Sequence, residues 1–331
     1  LKRITIKDIA KALNMHHSTV SRALRGEVAV NEKTRNSVLE YAKTHGYQIN
    51  MSALHLRGGV KNMIAVLVPN IHHSFFSNIV SVITNLAYQQ GYVVSVFQSN
   101  ENYEQEKEVI KTLIRNNVAG VIASVSMETV DSEHFRKLKN YRIPLVLFDR
   151  VCPDVNVSKV TVNNFEVLGD AVDILVRKGY KRIAHISGTD SINVFRDRQA
   201  GYLAGIKRHK LDYQRVMIID TDFTIEEGRK IAEKLFNEEV KPDALICDSH
   251  FLTLGVILKI NELGLKMPEE IGLAGFGDNP YVDLFNANVI SIIQPDDAIA
   301  RAAFDLILKK IENSDDEKTE SLTFSAKIIE R

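Results

Sequence analysis

Residues 4–26 read "ITIKDIAKALNMHHSTVSRALRG", two short amphipathic segments that meet at Asn14–His16. In the first, Ile6, Ile9, Ala10 and Leu13 recur at i, i+3, i+4 and i+7, which predicts a helix. Thr5 with Asp8 three residues on has the pattern of a capping box. In the second, "HSTVSRAL" (17–24) supplies Val20, Ala23 and Leu24 as an apolar edge, and Gly26 is placed to end it. Asn31 then caps a third predicted helix, "EKTRNSVLEYAKTHG" (32–46), with Val38, Tyr41, Ala42 and His45 on one face. Three short helices with a tight turn between the first two describe a helix-turn-helix unit.

In such a unit the second helix enters the major groove of DNA with its first residues against base edges. His17, Ser18, Ser21 and Arg22 are expected to face outward, and all are hydrogen-bonding types. Arg22 suits a fork onto guanine, and His17 or Ser18 suits a base edge or phosphate. The hydroxyls of Thr19 and Ser21 fit phosphate positioning, with Lys2, Arg3, Lys33 and Arg35 adding charge. The competing reading is a solvated polar face on a small helical domain.

Charge supports the first reading. The 331-residue chain has a formal net charge of zero, but residues 1–61 hold 11 Lys and Arg against 4 Asp and Glu, whereas the remainder holds 31 against 38. A basic end on an acidic body points to a polyanion partner at that end. Two cysteines far apart, Cys152 and Cys247, indicate neither a disulfide framework nor a Cys-based zinc site. No apolar run is long enough to span a bilayer, and the basic N-terminal stretch lacks the apolar core of a signal peptide. A cytoplasmic protein with no membrane partner is expected.

The segment resembles the N-terminal signature of the lactose-repressor (LacI/GalR) family of bacterial transcription regulators, most specifically in "IKDIA" (6–10) and "TVSRAL" (19–24). The resemblance implies base-reading positions at His17, Ser18 and Arg22 and phosphate positions at Thr19 and Ser21. His16 stands where the family commonly has a Ser that caps the recognition helix. Residues 49–61 correspond to the family's hinge, in which Leu56 would wedge into the minor groove, Asn50 would cap and Ala53 would contact a second copy. Apolar wedges of this kind bend DNA. Ile49 replaces the usual Pro and Leu54 the usual Arg, and a plain linker with Leu56 packed on the body is the alternative. His16, His17, Ser18, Thr19, Ser21, Arg22, Asn31 and Leu56 are therefore the candidate DNA-contacting residues.

From residue 62 the pattern changes. Apolar runs "MIAVLV" (63–68), "YVVSVF" (92–97), "VAGVIASV" (118–125) and "PLVLF" (144–148) alternate with helical segments. A second series follows, with "KRIAHIS" (181–187), "VMIID" (216–220), "DALIC" (243–247) and "EIGLAGF" (270–276). Continuous apolar strands separated by helices imply parallel sheets covered on both faces. Two series imply two similar halves, with a ligand beyond the carboxyl ends of the strands. The expected architecture is thus an all-α helix-turn-helix domain (1–48), a hinge (49–61) and an α/β core (62–331) of two doubly wound parallel-sheet subdomains. The first subdomain spans about 62–162 and 295–320, the second about 163–294 and 321–331. By the resemblance, the core is periplasmic-binding-protein-like.

Phe75, Phe76, Asp149, Arg150, Arg198, Phe223, His250 and Asp278 fall at predicted strand ends and are the candidate effector-binding residues. The resemblance implies that such positions bind a sugar or a purine, with Arg198 and Asp278 at the family's most regular contacts. The family's usual Asn-Asp is Ser249-His250 here, and its Gly-Phe-Asp is stretched to "GFGD". Arginine and aspartate forking onto hydroxyls, with phenylalanines against a ring face, would hold a polyol. Helix capping and core packing are the alternatives at each position.

No G-x-S-x-G, P-loop, G-x-G-x-x-G or H-E-x-x-H pattern occurs, so neither an enzyme nor a cofactor is expected. Adjacent His72 and His73 with His250 lack an acidic partner at ligand spacing, which argues against a metal. The expected function is a DNA-binding regulator, probed against a solute-binding protein and an enzyme as alternatives. One recognition helix reads only a half-site, so a homodimer on a palindromic operator follows. The run "SLTFSAKIIER" (321–331) is strand-like and has no heptads for a tetramer.

Overall fold

The computed structural model describes residues 4–24, 30–47, 62–219, 223–277, 288–313 and 317–330. The chain divides into two compact units, Leu1–Lys61 and Asn62–Arg331.

In the first unit, α1 (Ile6–Ala12), α2 (His17–Leu24) and α3 (Glu32–Thr44) surround Ile9, Ala10, Val20, Ala23, Val38 and Ala42. The apolar spacing predicted this core because residues three and four apart share a helix face. The capping box is present: the Thr5 hydroxyl accepts from the Asp8 amide, and the Asp8 carboxylate accepts from the Thr5 amide at 2.9 Å. Asn14 makes the tight turn in the left-handed region (φ 47°), a conformation that asparagine tolerates better than most residues.

The second unit contains two six-stranded sheets. The first half begins β1 (Met63–Val68), α4 (Ser74–Gln89), β2 (Val93–Gln98), α5 (Tyr103–Arg115) and β3 (Gly120–Ala123). It continues α6 (Glu133–Asn140), β4 (Leu145–Phe148) and β5 (Ser158–Val162). The second half runs α7 (Asn164–Arg177), β6 (Ile183–Gly188), α8 (Asn193–Arg208), β7 (Arg215–Ile219) and α9 (Ile225–Phe236). It ends β8 (Ala244–Cys247), α10 (His250–Glu262), β9 (Gly272–Phe276) and β10 (Val289–Ile293). The chain then returns through α11 (Asp296–Glu312) to β11 (Ser321–Phe324), and closes with β12 (Lys327–Ile329). Strand orders are β11-β5-β4-β3-β1-β2 and β12-β10-β9-β8-β6-β7, all parallel except β12 against β10.

Strands β5 and β10 had no counterpart in the apolar runs, and β11 and β12 both fall within the strand-like run 321–331. Strand β5, "SKVTV", alternates buried and half-buried residues instead of reading as a continuous apolar run. Strand β10, "VISII", is nearly as buried as β9, and β11 and β12 are half exposed. The expected boundary at 321 needs correction. Ser321–Phe324 pairs with Ser158–Val162 in the first sheet, and only β12 joins the second. An edge strand of half-exposed residues gives no sequence signal for which sheet it completes.

Helices pack closely enough to demand glycine at two crossings. A Cβ on Gly201 of α8 would overlap the carbonyl oxygen of Phe165 in α7, and one on Gly255 of α10 would overlap that of Ile225 in α9. Beneath the strand ends a single apolar cluster contains Leu67, Val125 and Leu147 from the first half and Val194, Phe195, Phe223 and Leu252 from the second. Strands β1 and β6 each have neighbours on both sides reached by opposite crossovers. Their carboxyl ends are therefore the switch points at which open α/β sheets bind ligands.

Candidate functional site

Two sites emerge, one in each unit. On α2, His17 and Arg22 are exposed and Ser18 and Thr19 half-buried. Ser21 does not face outward as expected: it is 8% exposed. At 100° per residue it falls on the flank of the Val20–Leu24 stripe, where it packs with the core. His16 is the residue before the helix, and its imidazole serves as the cap. Its Nδ1 lies 2.8 Å from the Ser18 hydroxyl and accepts from the Ser18 amide at 3.4 Å. Accepting at Nδ1 puts the proton of the neutral ring on Nε2. The rings of His16 and His17 lie 4.2 Å apart. Asn31 caps α3, with its side-chain oxygen accepting from the Thr34 amide at 2.8 Å. Leu56 and the rest of 49–61 lie outside the described residues, as does Asp278.

Replacing His16 by Ala removes the cap and is expected to cost about 0.5–1 kcal/mol in helix stability. Hydrogen exchange at the α2 amides should speed up in His16→Ala and recover in His16→Ser. Unchanged protection in His16→Ala would show that the imidazole does not cap.

The second site is a cavity between the two halves of the core, lined by residues from the carboxyl ends of both sheets. Of the predicted residues, Phe75, Phe76, Asp149, Arg150, Arg198, Phe223 and His250 all line it. Phe76 is also core, packed edge-on at 6.2 Å from Phe148. The apolar run of each strand ends where the sheet meets the cavity, so the first polar residues after it converge there.

Arg150 and Arg198 dominate the electrostatics. Arg150, 6% exposed, gives Nη1 to both oxygens of Glu101 at 2.8 and 2.7 Å. Arg198, 3% exposed, donates Nε to the Asn164 side-chain oxygen at 2.9 Å and Nη1 to the Asp248 carbonyl at 3.0 Å. Its guanidinium carbon lies 3.4 Å over the Phe276 ring, a cation–π stack. Asp248 is held from behind by His185 Nε2 at 2.9 Å and the Ser187 hydroxyl at 2.6 Å. Burial pushes the Asp248 carboxyl up, but the charges of His185 and Arg198 and the bonds from His185 and Ser187 hold it below the ordinary carboxylate range. Asp149 behaves oppositely. Burial raises it against the pull of Arg150 and Arg198, and among the described residues its side chain bonds only to Gln294 Nε2, at 3.4 Å.

Two histidines from opposite halves meet across the cavity. His73 and His250 have ring centroids 5.8 Å apart, and both pack against Phe251. Burial, with the nearby Arg150, lowers His73 to about 3, and burial lowers His250. Among the described residues no group of three or more His, Cys, Asp or Glu is placed to hold a metal ion. Asn193 ties the halves together by accepting from the Val151 amide at 2.9 Å and donating to the Asp149 carbonyl at 3.1 Å.

Sequence reasoning missed Phe276, which lies in the short "GFG", and Asp248, which lies beside Ser249 and His250. Glu101 and His185 had no signal at all, since each matters only through a partner far away in sequence.

Residues 61–331 match the family model described as periplasmic binding proteins and sugar binding domain of LacI family, and residues 5–50 match that of bacterial regulatory proteins, lacI family. The chain belongs to the LacI family. Catabolite control protein A of Priestia megaterium is 28% identical over 308 residues, covering 92% of each chain. The HTH-type transcriptional repressor CytR of Escherichia coli K12 is 29% identical over 310 residues, covering 93% of this chain and 90% of CytR. In fold, the lac repressor dimer bound to operator and an anti-inducer superposes with a TM-score of 0.84 at 22% identity, over 100% of this chain and 98% of the other. Like those relatives, the chain joins a LacI-type DNA-binding unit to a ligand-binding core.

Proposed function

We propose that the protein represses transcription by binding a palindromic operator as a homodimer, and that a small molecule in the core cavity, a sugar or sugar derivative, sets its operator affinity. The observation that carries the DNA-binding part is the polar edge of α2, with exposed His17 and Arg22 on a helix-turn-helix unit of the basic end of the chain. The repressor relatives support the regulatory role. For the cavity, buried arginines and apolar rings between the two halves of the core support ligand binding rather than catalysis. Turnover of a bound sugar by the purified protein would overturn that reading. Among the described residues no helix is long and apolar enough to cross a membrane.

Selection of duplexes from random DNA tests the role directly, and failure to recover a specific site would sink it. Arg22→Ala should cost about 1–3 kcal/mol at one base pair of the recovered site and relax specificity there. A uniform loss across all sequences, with a shallower salt dependence, would instead make Arg22 a phosphate contact.

The second copy has a candidate surface. Strands β2 and β7 are topologically equivalent edges, and they expose Val93 (57%), Val96 (41%) and Ile218 (50%). Exposed apolar edge strands call for a partner. Val96→Lys with Ile218→Lys is expected to shift sedimentation from dimer to monomer and to weaken operator binding. A variant that stays dimeric would place the interface elsewhere.

A further inference from the structure

Three helices begin at the cavity: α4, α8 and α10 supply Ser74, Phe75 and Phe76, Val194 and Phe195, and His250 to its lining. None of the three has an Asp or Glu in its first turn. The other five helices described in the core, α5, α6, α7, α9 and α11, each carry at least one there. A helix N-terminus bears a charge of roughly +0.5, which a first-turn acid offsets. At the cavity that offset is missing three times.

The two buried arginines are an independent observation. Both bonds of Arg150 to Glu101 come from Nη1, and its Nε and Nη2 have no partner among the described residues. Arg198 engages Nε and Nη1, and its Nη2 likewise has none. Ring faces cover the guanidinium groups, Phe76 and Phe195 at 5.7 and 5.2 Å from the Arg150 carbon and Phe276 from Arg198. A guanidinium covered on its faces presents donors only at its edge, the geometry that meets a carboxylate or phosphate bidentately.

The acids nearby do not balance this. Glu101 is committed to Arg150 and the Met127 amide, and Asp248 to His185, Ser187 and Arg198. Among the described residues Asp149 is the acid that faces the cavity without a strong partner, and burial favours its neutral form. His73 and His250 are held neutral as well. Among the described residues the charged groups left with open hydrogen-bonding edges are the two guanidiniums, which suits a ligand that brings acceptors and negative charge rather than a neutral polyol.

We infer that the ligand of this cavity is a sugar bearing an anionic group, phosphate or carboxylate, seated on Arg150, Arg198 and the starts of α4, α8 and α10. This rests on the reading of the cavity as the effector site and goes further by naming the chemical class. Burial favours the neutral form of Asp149, so an amide at position 149 is expected to serve as well.

Calorimetric titration of the full-length protein at low salt tests this with matched sets: glucose, gluconate and glucose 6-phosphate, ribose and ribose 5-phosphate, and inorganic phosphate alone. An anionic sugar should bind at least about tenfold tighter than its neutral parent, the equivalent of one charge-assisted hydrogen bond. Which of gluconate and the phosphates binds identifies the anionic group. The preference should vanish in Arg150→Gln and persist or grow in Asp149→Asn. Because Arg150→Gln leaves Glu101 buried and unpaired, the double variant Arg150→Gln with Glu101→Gln keeps the test open if the single one does not fold. Neutral sugars binding as tightly as their anionic partners would overturn the inference and leave the cavity as a sugar site. Inorganic phosphate binding as tightly as the sugar phosphates would overturn the sugar part. No binding by any member would overturn both the inference and the sugar reading beneath it.

Discussion

Replacing Arg198 by alanine is expected to abolish the coupling between effector and operator. Its guanidinium is buried, stacked on Phe276, and anchored to Asn164 and Asp248, so an unused edge is presented to the cavity in one orientation. A charged hydrogen bond is worth about 1.5–3 kcal/mol, and losing one lowers affinity roughly 10- to 150-fold. Coupling between two sites is reciprocal, so a variant that no longer binds effector cannot transmit it. The measurement is operator affinity with and without the sugar that most raises the parent's Tm, together with direct titration of that sugar. An Arg198→Ala protein that responds as the parent does would mean that the effector sits elsewhere. The direction of the parent's response, release or tighter binding, is read in the same experiment.

Asp248→Ala is expected to produce the largest loss of stability. The substitution leaves Arg198 without a carboxylate 3.7 Å away and orphans His185 and Ser187, all of them buried. Removing one partner of a buried ion pair costs about 3–5 kcal/mol. The loss also depends on pH. The folded-state pKa of Asp248 is lowered, so the folded chain binds its proton less readily than the unfolded chain does. Its contribution to stability is therefore full above the ordinary carboxylate range and is lost as pH falls through the depressed folded value. Urea unfolding at neutral pH should separate parent and variant widely, and the gap should narrow as pH drops below about 4, the unfolded carboxylate value. A gap that stays constant into acid would mean that Asp248 acts by packing and not by charge.

The helix-turn-helix unit was legible almost residue by residue. Its signals are local: the Thr5–Asp8 box, the 3.6-residue apolar period and the Asn31 cap each act within one or two turns. Ser21 was misplaced because an outward or inward position at the margin of an apolar stripe depends on what packs beside it. His16 read as the loss of a cap, since imidazole is not among the usual capping groups. Only the placement of its Nδ1 against the Ser18 amide shows that it does the same work.

In the core, alternation of apolar runs and helices carried the two-sheet architecture, and the polar residues ending those runs marked most of the cavity. The limits lay where pairing is long-range. Strand β11 joins a sheet whose partner strand lies some 160 residues earlier, and nothing in "SLTF" states which.

The sequence by itself determined which elements form and where their polar ends lie, because helix period, caps and strand composition are near-neighbour properties. Only the tertiary structure decided what the polar residues do to one another. Glu101 reaches Arg150 across 49 positions, Asp248 meets Arg198 across 50 and His185 across 63. Whether a buried charge is satisfied, and which edge of it is left to meet a ligand, follows from distances and desolvation that exist only after the chain has folded.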